Sequence, residues 1–279
     1  MNQSPISKRL LIFVTVTSIA ILLIIPFLYL FDHNTYVTFC NVGQGDATHI
    51  RIKNRIDVLI DAGPDRSVLN CLGKHMPFYD RQIEYAILSH PQKDHYGGFI
   101  YLADRYRIKN LLTINSPKPT KTYEKLLNNL KKKGIIISFP TSNTKLRIFA
   151  SQFDFFWPPK DHFKSVNYQE NNSSLIFQFQ EHNKEILFTG DVDAKILNML
   201  SGQSKNIDIL KIPHHGSKNA LSLKFLKLAN PILSVISVGK NNPYGHPSIE
   251  VLEALKALGK KYLRTDIQGE YTFKISNYY

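Results

Sequence analysis

Two histidines and an aspartate fall within six residues, His90 to His95, directly after the apolar run Tyr85-Ala86-Ile87-Leu88. The segment Ser89-His90-Pro91-Gln92-Lys93-Asp94-His95 closes on Gly97-Gly98, so it reads as a loop leaving a strand. Imidazole and carboxylate on one loop can converge on a divalent cation, and together they suit zinc or manganese with no thiolate required. The two cysteines, Cys40 and Cys71, lie elsewhere. The cluster therefore fits a metal that activates water better than a structural staple. Whether the cysteines pair is open at this level.

Four more patches obey the same rule. Leu59-Ile60-Asp61-Ala62-Gly63, Phe188-Thr189-Gly190-Asp191, Ile212-Pro213-His214-His215-Gly216-Ser217 and Tyr244-Gly245-His246-Pro247 each follow a β-rich run. Open sheets place their chemistry on the loops beyond the strand ends. His33, His49, His75, His162 and His182 have no motif around them and read as surface or satisfied histidines.

In these strings the chain resembles the metallo-β-lactamase superfamily and, within it, the C-terminal hydrolase domain of ComEC-type DNA-uptake proteins. The matching stretches are NVGQGDA from Asn41, LIDAG from Leu59, SHPQKDHYGG from Ser89, NNSSL from Asn171, LFTGD from Leu187, LKIPHHGS from Leu210 and ISVGKNNPYGHP from Ile236. The resemblance implies an α/β fold, the four-layer αββα sandwich, and one or two divalent metal ions, zinc or manganese. It implies metal ligands among His90, Gln92, Asp94, His95, Asp191, His214 and His215, without choosing between the last two. Asp94, Asp191 and His246 take the catalytic roles, and Asp191 bridges the ions. Asp61 braces a ligand, while Asp46, Asn171, Ser217, Asn242 and Tyr244 support the site or touch substrate. Three positions depart from the pattern. Gln92 stands where the superfamily has histidine, Asn171-Asn172-Ser173-Ser174 replaces a segment that commonly supplies another, and Asn41 replaces an aspartate of the ComEC-like branch. The first metal position is thus poor in imidazole.

Leu10 to Phe31 carries no charge over 22 residues, long enough to cross a bilayer core as a helix. Lys8 and Arg9 precede it, and no Lys or Arg follows until Arg51, so the positive-inside rule keeps the N-terminus cytoplasmic. A cleaved signal peptide would have a shorter apolar core and a small-x-small site, which Pro26 to Phe31 does not offer. The expected organisation is a cytoplasmic N-terminus over 1–9, a transmembrane signal anchor over 10–31, and one hydrolase domain over 32–279 outside the cytoplasm.

After the anchor, strands and helical patterns alternate in two β-rich halves. One helix is expected over Gly97–Tyr106 and another over Thr120–Lys133, where Tyr123, Leu126, Leu127 and Leu130 follow the 3.6-residue period and Gly134 can cap the end. Strands include Tyr36–Asn41, Tyr85–Ser89, Ser174–Gln180, Asp208–Ile212 and Tyr271–Ile275. Phe155-Phe156-Trp157 fits a core strand better than a stacking platform. Pro158–Gln169 is a polar loop suited to a rim or lid.

The net charge of +13, with lysines gathered at Lys118–Lys133 and again at Lys256, Lys260, Lys261 and Arg264, favours polyanions. Solvated helix faces explain such lysines equally well. Together with the resemblance, the sequence implies a membrane-anchored phosphodiesterase or nuclease acting on DNA, and the resemblance implies a DNA-uptake channel as its partner. The alternatives are a phosphorylcholine-esterase-like enzyme acting on cell-wall phosphopolymers, and a metal-free binding module.

Overall fold

The computed structural model describes residues 7–164, 168–203 and 206–276, without side-chain detail for 23, 25–31 and 164. Two seven-stranded sheets form it. The first runs in the order β14 (Tyr271–Ile275), β1 (Thr35–Phe39), β2 (Thr48–Ile52), β3 (Ile56–Ile60), β4 (Gln82–Ile87), β5 (Arg107–Leu112) and β6 (Ile136–Ser138). The second runs β13 (Lys261–Arg264), β12 (Leu233–Ile236), β11 (Ile209–Lys211), β10 (Lys184–Phe188), β9 (Ile176–Glu181), β8 (Ser151–Trp157) and β7 (Lys145–Ile148). Helices α2 (Ser67–His75), α3 (Lys93–Tyr96), α4 (Phe99–Leu102) and α5 (Lys121–Lys132) belong to the first half. Helices α6 (Ala194–Leu200), α7 (Leu223–Ala229) and α8 (Ile249–Ala257) belong to the second, and α9 (Thr265–Gln268) joins β13 to β14.

Three apolar layers explain the stacking. Phe39, Phe153, Phe155, Phe177, Phe179 and Phe188 fill the space between the sheets. Leu59, Leu72, Phe99, Tyr123, Leu126 and Leu130 bury the outer face of the first sheet under its helices, and Leu197, Leu210, Phe225, Leu226 and Leu255 do the same for the second. A sheet must cover both faces where helices cross over it, and four layers satisfy both sheets. This is the expected αββα sandwich. Phe155 and Trp157 are buried in β8, so that aromatic run is core.

Local signals fix the helix ends. Thr120 caps α5 by accepting from the Tyr123 amide at 3.2 Å, and Gly134 closes it with φ +79°. The single helix expected over 97–106 is instead the short α4 (Phe99–Leu102), with a separate helix α3 starting earlier, at Lys93. Gly97 and Gly98 pass so close to the carbonyls of Pro64 and Ala62 that a Cβ there would lie 2.1 and 2.0 Å from those oxygens. Only glycine permits so close an approach to the Asp61 loop at these two positions. The last strand also departs from a simple two-half division: β14 leaves the second half and pairs antiparallel with β1, Thr35 opposite Ile275.

Direction decides where the chemistry sits. β3, β4, β10, β11 and β12 all run toward one edge, here the front edge, where the loops after Ile60, Ile87, Phe188, Lys211 and Ile236 emerge together. The opposite, rear edge carries the hairpins at Lys53–Arg55 and Phe149–Ala150; Lys53 Nζ sits 5.4 Å from the Phe149 ring. Helix α5 starts at the front edge and returns, which puts Lys131, Lys132 and Lys133 at the rear, where Lys133 pairs with Asp104 at 2.9 Å. Lys256, Lys260 and Lys261 lie at the rear for the same reason.

Helix α1 spans Lys8–Phe31, 24 residues, capped by Ser7. Leu10, Ile12, Phe13, Val16, Ile19 and Leu22 are exposed on it. Among the described residues, no helix is long and apolar enough to cross a membrane; the continuous stretch with described side chains ends at Leu22.

Cys40, just past β1, and Cys71, in α2, form a disulfide across 31 residues of sequence. Closing a loop of that length removes unfolded-state entropy, typically worth about 2–4 kcal/mol. Denaturant melts of the Cys40→Ala/Cys71→Ala variant should show a loss in that range.

Candidate metal centre

The front edge gathers acidic and imidazole groups from both halves. Asp94, His95, Asp191 and His215 offer ligand atoms that all lie within 4.8 Å of one another. His95 Nε2 is 3.4 Å from Asp191 Oδ1. His90 Nε2, His214 Nε2 and His215 Nε2 approach Asp191 Oδ2 at 3.9, 3.8 and 3.6 Å. His215 Nε2 also lies 3.2 Å from Asp94 Oδ2. Asp191 is the hub.

A hydrogen-bonded shell fixes which nitrogen faces inward. Asp61 Oδ1 accepts from the Ser89 amide at 2.8 Å, and its Oδ2 accepts from Ser89 Oγ and from His95 Nδ1, both at 2.9 Å. That arrangement leaves His95 Nε2 pointing at Asp191. Ser89 Oγ, having donated to Asp61, accepts from His90 Nδ1 at 3.0 Å, so His90 Nε2 points the same way. His215 Nδ1 donates to the Ser237 carbonyl at 3.0 Å. Metal-ligating histidines are oriented by such partners on the other ring nitrogen. Asp61 therefore fixes the His95 ring.

The backbone is bent to the same end. His214 and His215 are consecutive left-handed residues, φ 47° and 52°, and Asp61 has φ 55°. Each such residue costs of order 1–3 kcal/mol and persists only where its surroundings hold it. Gly190, φ +50°, leaves no room for a side chain, since a Cβ would stand 2.5 Å from Ser174 Cβ. The Asn171–Ser174 segment grips this turn: Ser174 Oγ accepts from the Asp191 amide at 3.1 Å, and Asn172 Oδ1 accepts from the Asp193 amide at 2.9 Å.

Of the remaining expected residues, Gln92 and Asn171 hydrogen-bond to each other through their side-chain amides. Asn171 Nδ2 also lies 3.5 Å from His214 Nε2. Asn242 is not presented to substrate: its amide donates to the Gly239 and His246 carbonyls, and its Oδ1 accepts from the Tyr244 and His246 amides. It folds the loop. Ser217 Oγ sits 3.3 Å from His214 Nδ1. Tyr244 is exposed and stacks on His246, whose ring also meets His214 at 5.8 Å. These three rings separate two clefts of about 450 and 540 Å³. Gln92, Lys93 and Asp94 line the first, and Asn171, Asp191 and Lys218 the second. Residues 165–167 of the expected rim loop lie outside the described residues. Outside the centre, His49 is buried and satisfied by Asp57 at 2.6 Å.

Lys211 was not singled out by its motif. Its Nζ is buried, 2.6 Å from Asp46 Oδ2, and donates to the Ile212 carbonyl at 2.9 Å. Asp46 Oδ1 in turn lies 3.2 Å from His215 Nδ1. The signal was present: a lone lysine inside Ile209-Leu210-Lys211-Ile212, an otherwise apolar strand, requires a buried anion.

Charge and burial oppose each other throughout the centre. Burial disfavours charge on His95 and His215, but Asp191 outweighs it. With Asp61, it raises the His95 pKa well above the ordinary value; with Asp46, it pushes His215 up to about 10. Burial and the neighbouring His95 charge pull His90 down to about 3. For Asp191, burial would favour the acid, but His95 and His215 hold it well below the carboxylate range. Burial pushes Asp61 up against the pull of His95, while three donors bond its oxygens.

The donor set fits a cation. His90 Nε2, His95 Nε2 and both Asp191 oxygens are buried and have no hydrogen-bond partner. Buried polar atoms of this kind are rarely left unpaired in folded proteins. His90, His95, Asp94, Asp191 and His215, with His214 at the rim, would hold one or two divalent ions. Such an ion must displace protons from His95 and His215. Apparent affinity should therefore rise with pH between about 5.5 and 8, by roughly tenfold per pH unit for each proton displaced. Calorimetry in buffers of different ionisation enthalpy would count those protons.

The sequence profile of the metallo-β-lactamase superfamily matches residues 40–240, and the chain belongs to that superfamily. Its fold and centre are those of a metal-dependent hydrolase. Among characterised relatives it is similar to ComE operon protein 3 of Bacillus subtilis, 29% identical over 264 residues, covering 86% of this chain and 33% of that protein. It is also similar to competence protein ComA of Neisseria gonorrhoeae, 27% identical over 260 residues, covering 87% of this chain and 32% of that protein. The chain thus spans about a third of the length of these relatives. Among solved structures, the metallo-β-lactamase fold protein YhfI of Bacillus subtilis superposes with a TM-score of 0.60 at 10% identity, over 86% of this chain and 99% of that one.

Proposed function

We propose that this chain is a metal-dependent phosphodiesterase acting on DNA, held by α1 at the outer face of the cell membrane in a competence-related role. The observation that carries the reading is the hub at Asp191, where inward-facing nitrogens and unpaired carboxylate oxygens from two halves of the chain meet. Similarity to a competence protein supports the substrate class. The charge-free run from Leu10 to Phe31 and the Cys40–Cys71 disulfide, a bond favoured in oxidising compartments, support the location.

A divalent ion at this centre would act as a Lewis acid, making hydroxide available near neutral pH and drawing charge from a phosphoryl oxygen. The chain's own groups do the rest. Asp61 and Ser89 keep His95 and His90 in register. Asp94, kept ionised by the His215 hydrogen bond against the effect of burial, accepts a hydrogen bond from the attacking water and orients it. His246, partly exposed between the clefts, stands where a leaving oxygen could take a proton. Tyr244, stacked on it, offers a face to a base, the sequence-tolerant contact used for single strands.

The test is a substrate panel with the full chain in detergent, loaded with manganese or zinc: single-stranded DNA, double-stranded DNA, teichoic acid and a chromogenic phosphodiester. Cleavage of DNA that disappears in the Asp191→Asn variant supports the reading. Cleavage of teichoic acid alone transfers the enzyme to wall polymers. A metal-loaded chain that cleaves no phosphodiester overturns the proposal.

A further inference from the structure

We infer that the rear edge of the domain rests on an anionic lipid bilayer, so that the metal centre opens away from the membrane. The inference depends on the anchoring role given above to α1, and adds a surface, an orientation and a lipid class.

The link is short and fixed. Helix α1 ends at Phe31 and β1 begins at Thr35, so four residue steps separate them, at most roughly 14 Å of chain. The link is also folded: Asp32 Oδ1 accepts from the Asn34 amide at 2.9 Å, and Asp32 Oδ2 accepts from the Tyr36 hydroxyl at 2.7 Å. Thr35 lies at the rear end of β1, because β1 runs alongside β3 in direction, with β2 antiparallel to both. The edge that holds Thr35 cannot stand far from the end of α1.

What that edge displays suits a lipid surface. Phe78, 71% exposed, stacks edge-on with Tyr79 in the turn before β4. Asp80 beside them binds Arg51 at 3.1 Å, near the rear end of β2, which places the turn at the rear. Phe149 at the hairpin tip between β7 and β8 is 60% exposed, and Ile232 before β12 is 66% exposed. Aromatic side chains at the tips of loops favour the interface between headgroups and acyl chains. Around them stand exposed lysines from three helices and one strand: Lys132 from α5, Lys227 from α7, Lys256 from α8 and Lys261 from β13. The acidic groups found there are engaged, Asp104 with Lys133, Asp208 with Lys184 and Asp80 with Arg51. Lysines at this height are drawn to anionic headgroups within a Debye length. Among the residues lining the two front clefts only Lys93 and Lys218 are cationic, and Lys218 pairs with Glu250.

β3, β4 and β10, which run from the rear edge to the centre, are five or six residues long, so the metal centre stands roughly 20 Å above the bilayer. A phosphodiester in a headgroup of the same membrane cannot reach it, whereas a polymer passing overhead can.

The full chain reconstituted into vesicles tests this with single tryptophan reporters, Phe78→Trp, Phe149→Trp and, at the mouth, Tyr244→Trp, each compared with the unsubstituted chain to subtract buried Trp157. In phosphatidylglycerol vesicles containing lipid brominated near the headgroup, the reporters at 78 and 149 should be quenched several-fold more than that at 244. Replacing the anionic lipid with phosphatidylcholine, or introducing Lys132→Glu, Lys256→Glu and Lys261→Glu together, should lower that quenching. If the chain floats with the vesicles but 78 and 149 are not quenched, the anchor stands and the orientation is wrong. If it does not float, both fall. If a DNA oligonucleotide shifts the emission at 78 and 149 and vesicles do not, the edge is a nucleic-acid surface and the inference is overturned.

Discussion

Replacing Asp191 by asparagine should abolish metal-dependent hydrolysis while leaving the domain folded. Both oxygens of this carboxylate face four imidazoles and bond to nothing else. Losing a partner behind a ligand costs about 10–100-fold in metal affinity or activity, and Asp191 is the group those partners serve, so a larger loss is expected. The substitution preserves volume and removes one charge. Circular dichroism should be unchanged, metal content should fall with activity, and His95→Ala should behave alike. Wild-type turnover in both variants would mean that the reaction is not centred here.

The largest effect on stability is expected at Lys211. Its ammonium and the Asp46 carboxylate are both almost wholly buried and 2.6 Å apart. Burial alone would raise the Asp46 pKa, but Lys211 and then His215 hold it below the usual carboxylate range. Removing one member of such a pair leaves an uncompensated charge in low dielectric, typically a loss of about 3–5 kcal/mol. Lys211→Met should therefore unfold at markedly lower denaturant. The double variant Asp46→Asn/Lys211→Met should recover most of that loss, because neither charge remains. Failure of the second change to restore stability would mean that Lys211 matters through packing or its bond to the Ile212 carbonyl.

The parts of the molecule legible in the sequence were those with local causes. His90, Asp94 and His95 share one loop after one strand, Thr120 and Gly134 bracket α5, and the Leu175-Phe177-Phe179 alternation belongs to β9 and the residue leading into it. The convergence of these loops was legible through motif order alone; it brings His95 within 3.4 Å of Asp191, 96 positions later. What stayed hidden depends on direction and crossover. The lysines at 131–133 gave no sign of lying at the edge opposite the centre, because only the return of α5 puts them there. Gln92 looked like a weak ligand, but its amide finds Asn171, 79 residues away. Asn242 looked like a substrate contact, but its four loop hydrogen bonds use its amide group. The pairing of Asp46 with Lys211 spans 165 positions, beyond any periodic signal.

The partnership of β1 with β14 bears on how the domain is assembled. Among the described residues β14 is the last strand of the domain and it pairs with the first, so the outer hydrogen bonds of the Thr35–Phe39 backbone are met only once the strands between them have been made. An open strand of this kind is a template for pairing with other chains. Truncation before Tyr271 should leave a nascent domain that associates with itself rather than a shortened monomer. The strand Tyr271–Ile275 thus acts as a seal over an edge that the rest of the domain leaves open.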